Sequence, residues 1–113
     1  MSSRPKPNVS KKWLKARYQY YNLTYFDGRL PDVVIEYVDG APNTFHGETV
    51  IDTGLKPRIR LNRKLAWNAD TTLITLLHEI CHLATWEENE THGPEFYAER
   101  KRLLAAGVYD DLL

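Results

Sequence analysis

The sequence lacks several features that would assign it to particular classes of protein. It contains one cysteine, which excludes an intrachain disulfide and favours a reducing compartment. No apolar run approaches the length of a membrane span. The first residues, rich in proline and basic side chains, lack the apolar segment of a signal peptide. We therefore expect a cytoplasmic protein without a membrane partner, and we expect it to be a monomer.

What is present indicates a folded globule. The 113 residues are 42% hydrophobic, 27% charged and 12% aromatic, which suits one compact domain and is unlike a disordered chain. We predict that residues 1–9 form a flexible N-terminal arm and that residues 10–113 fold as the domain.

The formal net charge is zero, but the charges are unevenly distributed along the chain. Up to Lys64 there are twelve basic and six acidic residues, and from Leu65 onward there are three basic and nine acidic ones. Such asymmetry allows the basic N-terminal part to contact DNA, although two ordinary solvated faces are the simpler explanation. One cluster could contact phosphate or form a solvated strand edge: Arg58, Arg60, Arg63 and Lys64.

The pattern of the first half predicts a helix followed by three strands. Ser10 is a suitable helix N-cap, and Asp27-Gly28 ends the helix. Residues 33–38, 44–51 and 58–62 have the composition or alternation of strands, with His46 on the second, an edge strand. The predicted apolar face of the helix comprises Trp13, Leu14, Tyr18, Tyr21 and Tyr25.

Two further helices are predicted in the second half. The first begins at Asn68 or Asp70 and runs to about Trp86, and the second begins near Pro94 and stops at Gly107. Several residues are predicted to face the core: Leu73, Leu76, Leu77, Ile80, Ala84, Phe96, Leu103 and Leu104, with Trp67 and Trp86. Thr75, His78, Glu79 and His82 lie on the other face of the first of these helices. The expected fold class is α+β.

Residues 78–82 read His-Glu-Ile-Cys-His, the pattern H-E-x-x-H. Two histidines four apart on a helix project to one side, so His78 and His82 could bind one Zn²⁺ ion. Glu79 lies beside them and could take a proton from water without binding the metal. This chemistry predicts a zinc-dependent metallopeptidase.

A catalytic zinc has three protein ligands and one open position. We predict His92 as the third ligand, because a polar loop could return it to the metal. The alternative is a carboxylate from the last helix, Glu95 or Glu99.

These residues resemble the SprT-like metallopeptidases, a family that includes Spartan-related proteases of DNA–protein crosslinks. The family pattern is H-E-x-x-H, a variable loop and H-G-x-x-F, and residues 78–82 and 92–96 match it. Residues 21–31 and 58–62 also resemble the family, but their patterns are less specific than the two histidine motifs. The resemblance implies a minimal zincin-like domain whose three histidines hold zinc.

The predicted reaction is hydrolysis of peptide bonds in protein or peptide substrates, including DNA-associated or DNA-crosslinked proteins. A second hypothesis, of another class, is a non-catalytic nucleic-acid-associated module whose zinc is structural, closed by a fourth protein ligand.

Three further residues could stabilise an oxyanion: His46, Tyr97 and Tyr109. An exposed position for His46 and packing roles for the tyrosines are the commoner outcomes. Cys81 is predicted to be a small buried hydrophobe rather than a ligand.

Overall fold

The computed structural model describes residues 9–39, 46–52, 54–64, 68–86, 92–110 and 112. The described residues form three helices and one three-stranded sheet, which confirms the α+β class. In chain order the elements are α1 (Lys11–Tyr25), β1 (Val34–Val38), β2 (Gly47–Val50), β3 (Arg58–Asn62), α2 (Ala69–Ala84) and α3 (Pro94–Ala105).

Helix α1 begins and packs as its sequence predicts. The hydroxyl of Ser10 accepts a hydrogen bond from the backbone N–H of Trp13 at 3.0 Å, which caps the helix. The helix ends just before Asp27 and Gly28, which both have positive φ angles. The predicted apolar face is confirmed: Leu14, Tyr18 and Tyr21 are buried, and Trp13 and Tyr25 are partly buried against the core.

Strand β3 lies in the middle of the sheet, parallel to β1 and antiparallel to β2. Its alternating pattern has the predicted consequence, because Ile59 and Leu61 are fully buried while Arg58 and Arg60 point to the outer face. Because β3 is the central strand of the described sheet, the expected strand-edge position of this cluster is wrong, although Arg58 and Arg63 are solvent-exposed.

The arginines of this region are paired with carboxylates of neighbouring elements. Arg58 contacts Glu36 at 3.3 Å, and Arg60 contacts both Glu36 at 3.2 Å and Glu48 at 2.9 Å. Arg63 pairs with Asp39 at 2.8 Å. Three of the four basic residues suggested for phosphate contact thus already have anionic partners.

Strand β2 is shorter than predicted. It spans Gly47–Val50, and Ile51 lies beyond its end. His46 precedes the strand, although its carbonyl still accepts a hydrogen bond from the backbone N–H of Asn62 at 2.8 Å. Residues 40–45, where the predicted strand begins, lie outside the described residues. In the described part of the chain the strand order places β2 at an edge of the sheet, as predicted.

Helix α2 packs its predicted apolar stripe on β2, β3 and α3. Its N-cap is Asn68, whose side chain accepts from the N–H of Thr71 at 2.9 Å. The helix stops at Ala84, and the C-cap Thr85 donates from both its hydroxyl and its N–H to the carbonyl of Cys81. Trp86 is therefore beyond the helix and 58% exposed, so its predicted core position is wrong. Trp67 lies outside the described residues.

Helix α3 begins at Pro94, as predicted, with Gly93 at the N-cap. Phe96 and Leu103 are buried, but Leu104 is 41% exposed, so its predicted inward position is wrong. The reason is helical geometry: Leu103 lies about 20° around the helix from Phe96, whereas Leu104 lies about 80° away.

The N-terminal residues 1–8 lie outside the described residues, so the flexible arm stays a prediction. Val9, the last residue of that arm, is buried, and its carbonyl accepts a hydrogen bond from the Tyr37 hydroxyl at 2.5 Å. Among the described residues, the helices are too short or too polar to cross a bilayer.

Candidate metal centre and catalytic base

Three imidazoles from two parts of the chain converge at one point. His78 and His82 lie one turn apart on α2, and His92 lies just before α3. The Nε2 atom of His78 is 3.2 Å from Nε2 of His82 and 3.1 Å from Nε2 of His92. Ligand atoms of all three residues lie within 4.8 Å of one another. The predicted convergence is therefore observed, whereas neither Glu95 nor Glu99 belongs to this group.

The spacing of these nitrogens fits a metal ion. Two nitrogens bound tetrahedrally to zinc at 2.0–2.1 Å would be about 3.3 Å apart, close to the observed separations. Hydrogen bonding does not account for the cluster, because one imidazole nitrogen has a single in-plane position for a proton or a lone pair. A cation satisfies all three nitrogens at once, so the three histidines could hold a metal ion, and the set is compatible with zinc.

His92 reaches the cluster through an uncommon backbone conformation. Its φ is 59°, in the left-handed region, which histidine adopts more readily than most residues with a Cβ. Gly93 follows in extended conformation and Pro94 occupies the first turn of α3. This turn leads into α3 and directs the imidazole toward α2. Strain of this kind is common at functional sites.

Phe96 lies against all three imidazoles. Its ring centroid is 5.0 Å from that of His78, 4.6 Å from His82 and 4.7 Å from His92. The ring is buried, so it supports the cluster from the protein side and limits the rotamers of the histidines. The sequence predicted an inward-facing phenylalanine but not this contact. Its position four residues after His92 is the pattern that could have indicated it.

His78 and His82 are held in their neutral form. Burial is the main cause that lowers the pKa of His78 to about 4, and the nearby His82, His92 and Arg100 lower it further. Burial and His92 also lower the pKa of His82. Neutral imidazole is the form that binds metal, so these two side chains are ready for a cation at neutral pH.

Glu79 lies on the sheet side of this cluster and is 3% exposed. Burial raises the pKa of its carboxyl to about 7, a hydrogen bond from Thr49 opposes the rise, and Glu48 adds to it. The Thr49 hydroxyl lies 2.8 Å from Oε1 of Glu79 and 3.1 Å from its backbone carbonyl oxygen. A carboxyl with a pKa near neutrality can both accept and return a proton. Thr49 was not identified from the sequence.

A cavity of about 390 Å³ adjoins the cluster, lined by His46, Gly47, Ile74, Thr75, His78 and Glu79. It places the Glu79 carboxyl group and His78, one histidine of the cluster, beside an open space bordered by strand β2.

The other candidates occupy different surroundings. His46 borders the cavity and is exposed. Tyr97 is exposed on α3 beside Phe96, and Tyr109 is buried in the core cluster. Cys81 is fully buried, which confirms its prediction as a small hydrophobe, and burial raises the pKa of its thiol to about 12.

Comparison with known families agrees with this arrangement. A model of the SprT-like family matches residues 14–109, which include most of α1, the sheet, both segments of the histidine cluster and α3. The match extends over most of the chain, and the chain therefore belongs to the SprT-like family.

Proposed function

We propose that this protein is a zinc-dependent endopeptidase that hydrolyses peptide bonds of protein substrates. One observation carries the proposal: three imidazole nitrogens converge at metal-binding distance, and the buried carboxyl of Glu79 follows directly after the first of them in the chain. Membership of the SprT-like family supports it.

His78, His82 and His92 would hold the metal ion. Zinc, when bound, supplies a Lewis acid that polarises a carbonyl group and lowers the pKa of water. The buried ring of Phe96, which contacts all three imidazoles, would keep them in place. Three protein ligands leave a coordination position open, which is typical of catalytic rather than structural zinc.

Glu79 would act as general base and then as general acid. Its carboxylate would take a proton from the water that attacks the scissile carbonyl. It would then pass that proton to the nitrogen of the leaving amine, so that one group serves both steps. The pKa of about 7 makes both protonation states accessible at neutral pH.

The edge strand β2 suggests how a protein substrate would lie. Among the described residues β2 pairs with β3 alone, so its other side can accept an extended peptide as an added strand. The cavity that contains Glu79 borders this strand. A peptide paired there would pass the carboxylate, which supports an endopeptidase acting on extended segments.

The alternative, a structural zinc site, requires a fourth protein ligand. Among the described residues, the group that could hold a metal contains only the three histidines. This composition favours the catalytic proposal. A direct determination of the coordination sphere by X-ray absorption, showing four protein ligands, would decide for the structural site.

DNA association stays a prediction from the charge distribution and the family resemblance. Its test is the affinity for single-stranded DNA at rising salt, which falls steeply when phosphates are contacted. Because Arg58, Arg60 and Arg63 are already paired with carboxylates, we expect a DNA contact to lie elsewhere than on the outer face of the sheet.

The central experiment is Glu79→Gln, assayed by cleavage of fluorescently labelled casein with and without single-stranded DNA. We expect unchanged zinc content, because an amide of the same size would not disturb the histidines, and a fall in kcat of at least roughly 100-fold. The matched control is Glu95→Gln, which alters a carboxylate of α3 outside the histidine group and should leave zinc and activity intact. Full activity of Glu79→Gln would refute the proposed mechanism.

A further inference from the structure

Thr49, on strand β2, contacts the proposed catalytic carboxyl group of Glu79 on α2. Its hydroxyl lies 2.8 Å from Oε1 of Glu79 and 3.1 Å from the carbonyl oxygen of the same residue. The two residues are thirty positions apart, on β2 and α2. We propose that Thr49 is a positioning residue, whose hydroxyl holds the Glu79 carboxylate in its reactive orientation. This inference rests on the proposed function and adds a residue to its machinery.

The register of β2 directs Thr49 at α2. Side chains two apart on a strand lie on the same face, so Thr49 shares a face with Gly47, whose Cβ position points at Thr75 of α2 and Leu61 of β3. Glu48, between them, points to the outer face and pairs with Arg60. The direction of Thr49 is therefore a consequence of the strand, not of one rotamer.

The close approach of the strand to the helix depends on Gly47. A Cβ atom built there would lie 2.9 Å from Cδ2 of Leu61 and 3.0 Å from Cγ2 of Thr75, both closer than normal contact. Because glycine has no Cβ, β2 can lie close enough to α2 for the short side chain of Thr49 to reach both oxygens of Glu79.

Two oxygens of one residue share the Thr49 hydroxyl. The hydroxyl thereby links the glutamate side chain to its own backbone position on α2, which restricts the three side-chain torsions of Glu79. In this proposal Thr49 engages Oε1, and Oε2 would take the proton of the attacking water. A positioned base matters because small misplacements of a reacting group reduce rates strongly.

Thr49 should influence turnover rather than substrate binding. Its side chain faces α2, whereas an added peptide strand would pair with the backbone at the free side of β2. A purely structural role would instead lower stability without a specific effect on kcat.

The test compares Thr49→Val, Thr49→Ser and the control Thr85→Val by kcat and KM on fluorescently labelled casein, with zinc content measured for each. Thr85 also donates its hydroxyl to a backbone carbonyl, that of Cys81 at 2.7 Å, but lies at the C-terminal end of α2. We expect kcat of Thr49→Val to fall roughly 10- to 100-fold, as for loss of one hydrogen bond to a charged group. KM should change less than about twofold, as expected when ground-state binding is untouched. Thr49→Ser should recover most of kcat, and Thr85→Val should retain wild-type kcat.

Two results would overturn the inference while leaving the proposed function intact. One is wild-type kcat in Thr49→Val, and the other is a Thr49→Ser protein as slow as Thr49→Val, which would assign the effect to shape. Circular dichroism checks folding, and Thr49→Ala replaces Thr49→Val if that variant does not fold. A wild-type protein that cleaves no casein, or one that Glu79→Gln does not slow, would refute the proposed function and this inference with it.

Discussion

Gly47→Ala is expected to destabilise the protein although the change adds one methyl group. Gly47 lies at the start of β2, where a Cβ atom would be 2.9 Å from Cδ2 of Leu61, 3.0 Å from Cγ2 of Thr75 and 3.2 Å from the carbonyl oxygen of Arg60. Leu61 is fully buried and Thr75 is nearly so. The backbone oxygen and the short Thr75 side chain have little freedom to move, so β2 must shift away from α2.

Two opposing terms set the magnitude. Overpacking a well-packed core costs roughly 1–3 kcal/mol. Replacing glycine by alanine restricts the unfolded chain and returns about 0.4–1 kcal/mol. The steric term is larger, so the free energy of unfolding should fall by about 1–2 kcal/mol. For a chain of this length that corresponds to a fall in Tm of about 4–8 °C.

The assay is urea denaturation of Gly47→Ala, Leu61→Val and the double variant. Leu61→Val shortens the side chain that the new methyl group would meet, so the double variant should be more stable than the sum of the single effects predicts. Gly54→Ala is the control for backbone strain alone, because Gly54 has a φ of 80° and, apart from its chain neighbours, no described residue has an atom within 4 Å of the Cβ position. Additive effects in the cycle, or a Gly47→Ala protein as stable as wild type, would refute the close-approach argument.

Removal of the metal by a chelator should lower Tm by about 15 °C if zinc is present at roughly 1,000 times its Kd, because such binding stabilises the folded state by about 4 kcal/mol. His92→Ala should abolish most of this shift, and a shift that persists in full would exclude His92 as a ligand. Hydrogen bonds from Lys15 and Lys56 hold the pKa of Asp32 well below its usual range. The ionised carboxylate therefore stabilises the folded state above a pH of about 4. That stabilisation is lost as the pH falls through the lowered pKa of the folded state. The difference in urea midpoint between wild type and Asp32→Asn should accordingly shrink below about pH 4, and a constant difference would argue against the ion pairs. Cys81, fully buried and with a thiol pKa of about 12, should react with a thiol reagent at about pH 8 only after unfolding, and rapid reaction of the native protein would contradict its burial.

Features that depend on neighbours three or four residues away were predictable from the sequence. Ser10 caps α1, and Asn68, one of the two suggested caps, begins α2. The spacing of His78 and His82 is a property of the helix itself, since a 3.6-residue turn places positions four apart on one side. Hydrogen bonding along the chain and helical periodicity are local, so they can be inferred without knowing the fold.

Predictions failed where an element ended or where a position on the helix was estimated loosely. Trp86 lies beyond the C-cap of α2, and Leu104 lies to one side of the buried stripe of α3. The surroundings of Arg60 also differed from expectation, because the central place of β3 in the sheet brings carboxylates from both neighbouring strands to it.

The sequence alone determined the H-E-x-x-H pattern, the position of its glutamate and the α+β class, because these follow from spacing within single elements. Only the tertiary structure decided that His92, rather than Glu95 or Glu99, joins His78 and His82, and that Phe96 supports all three imidazoles. It also decided that Thr49 meets Glu79 across thirty residues. The contact between Thr49 and Glu79 depends on the order of strands and on the distance between sheet and helix, which here depends on the missing side chain of Gly47. No local pattern of residues contains that information, because it arises only when separate elements pack together.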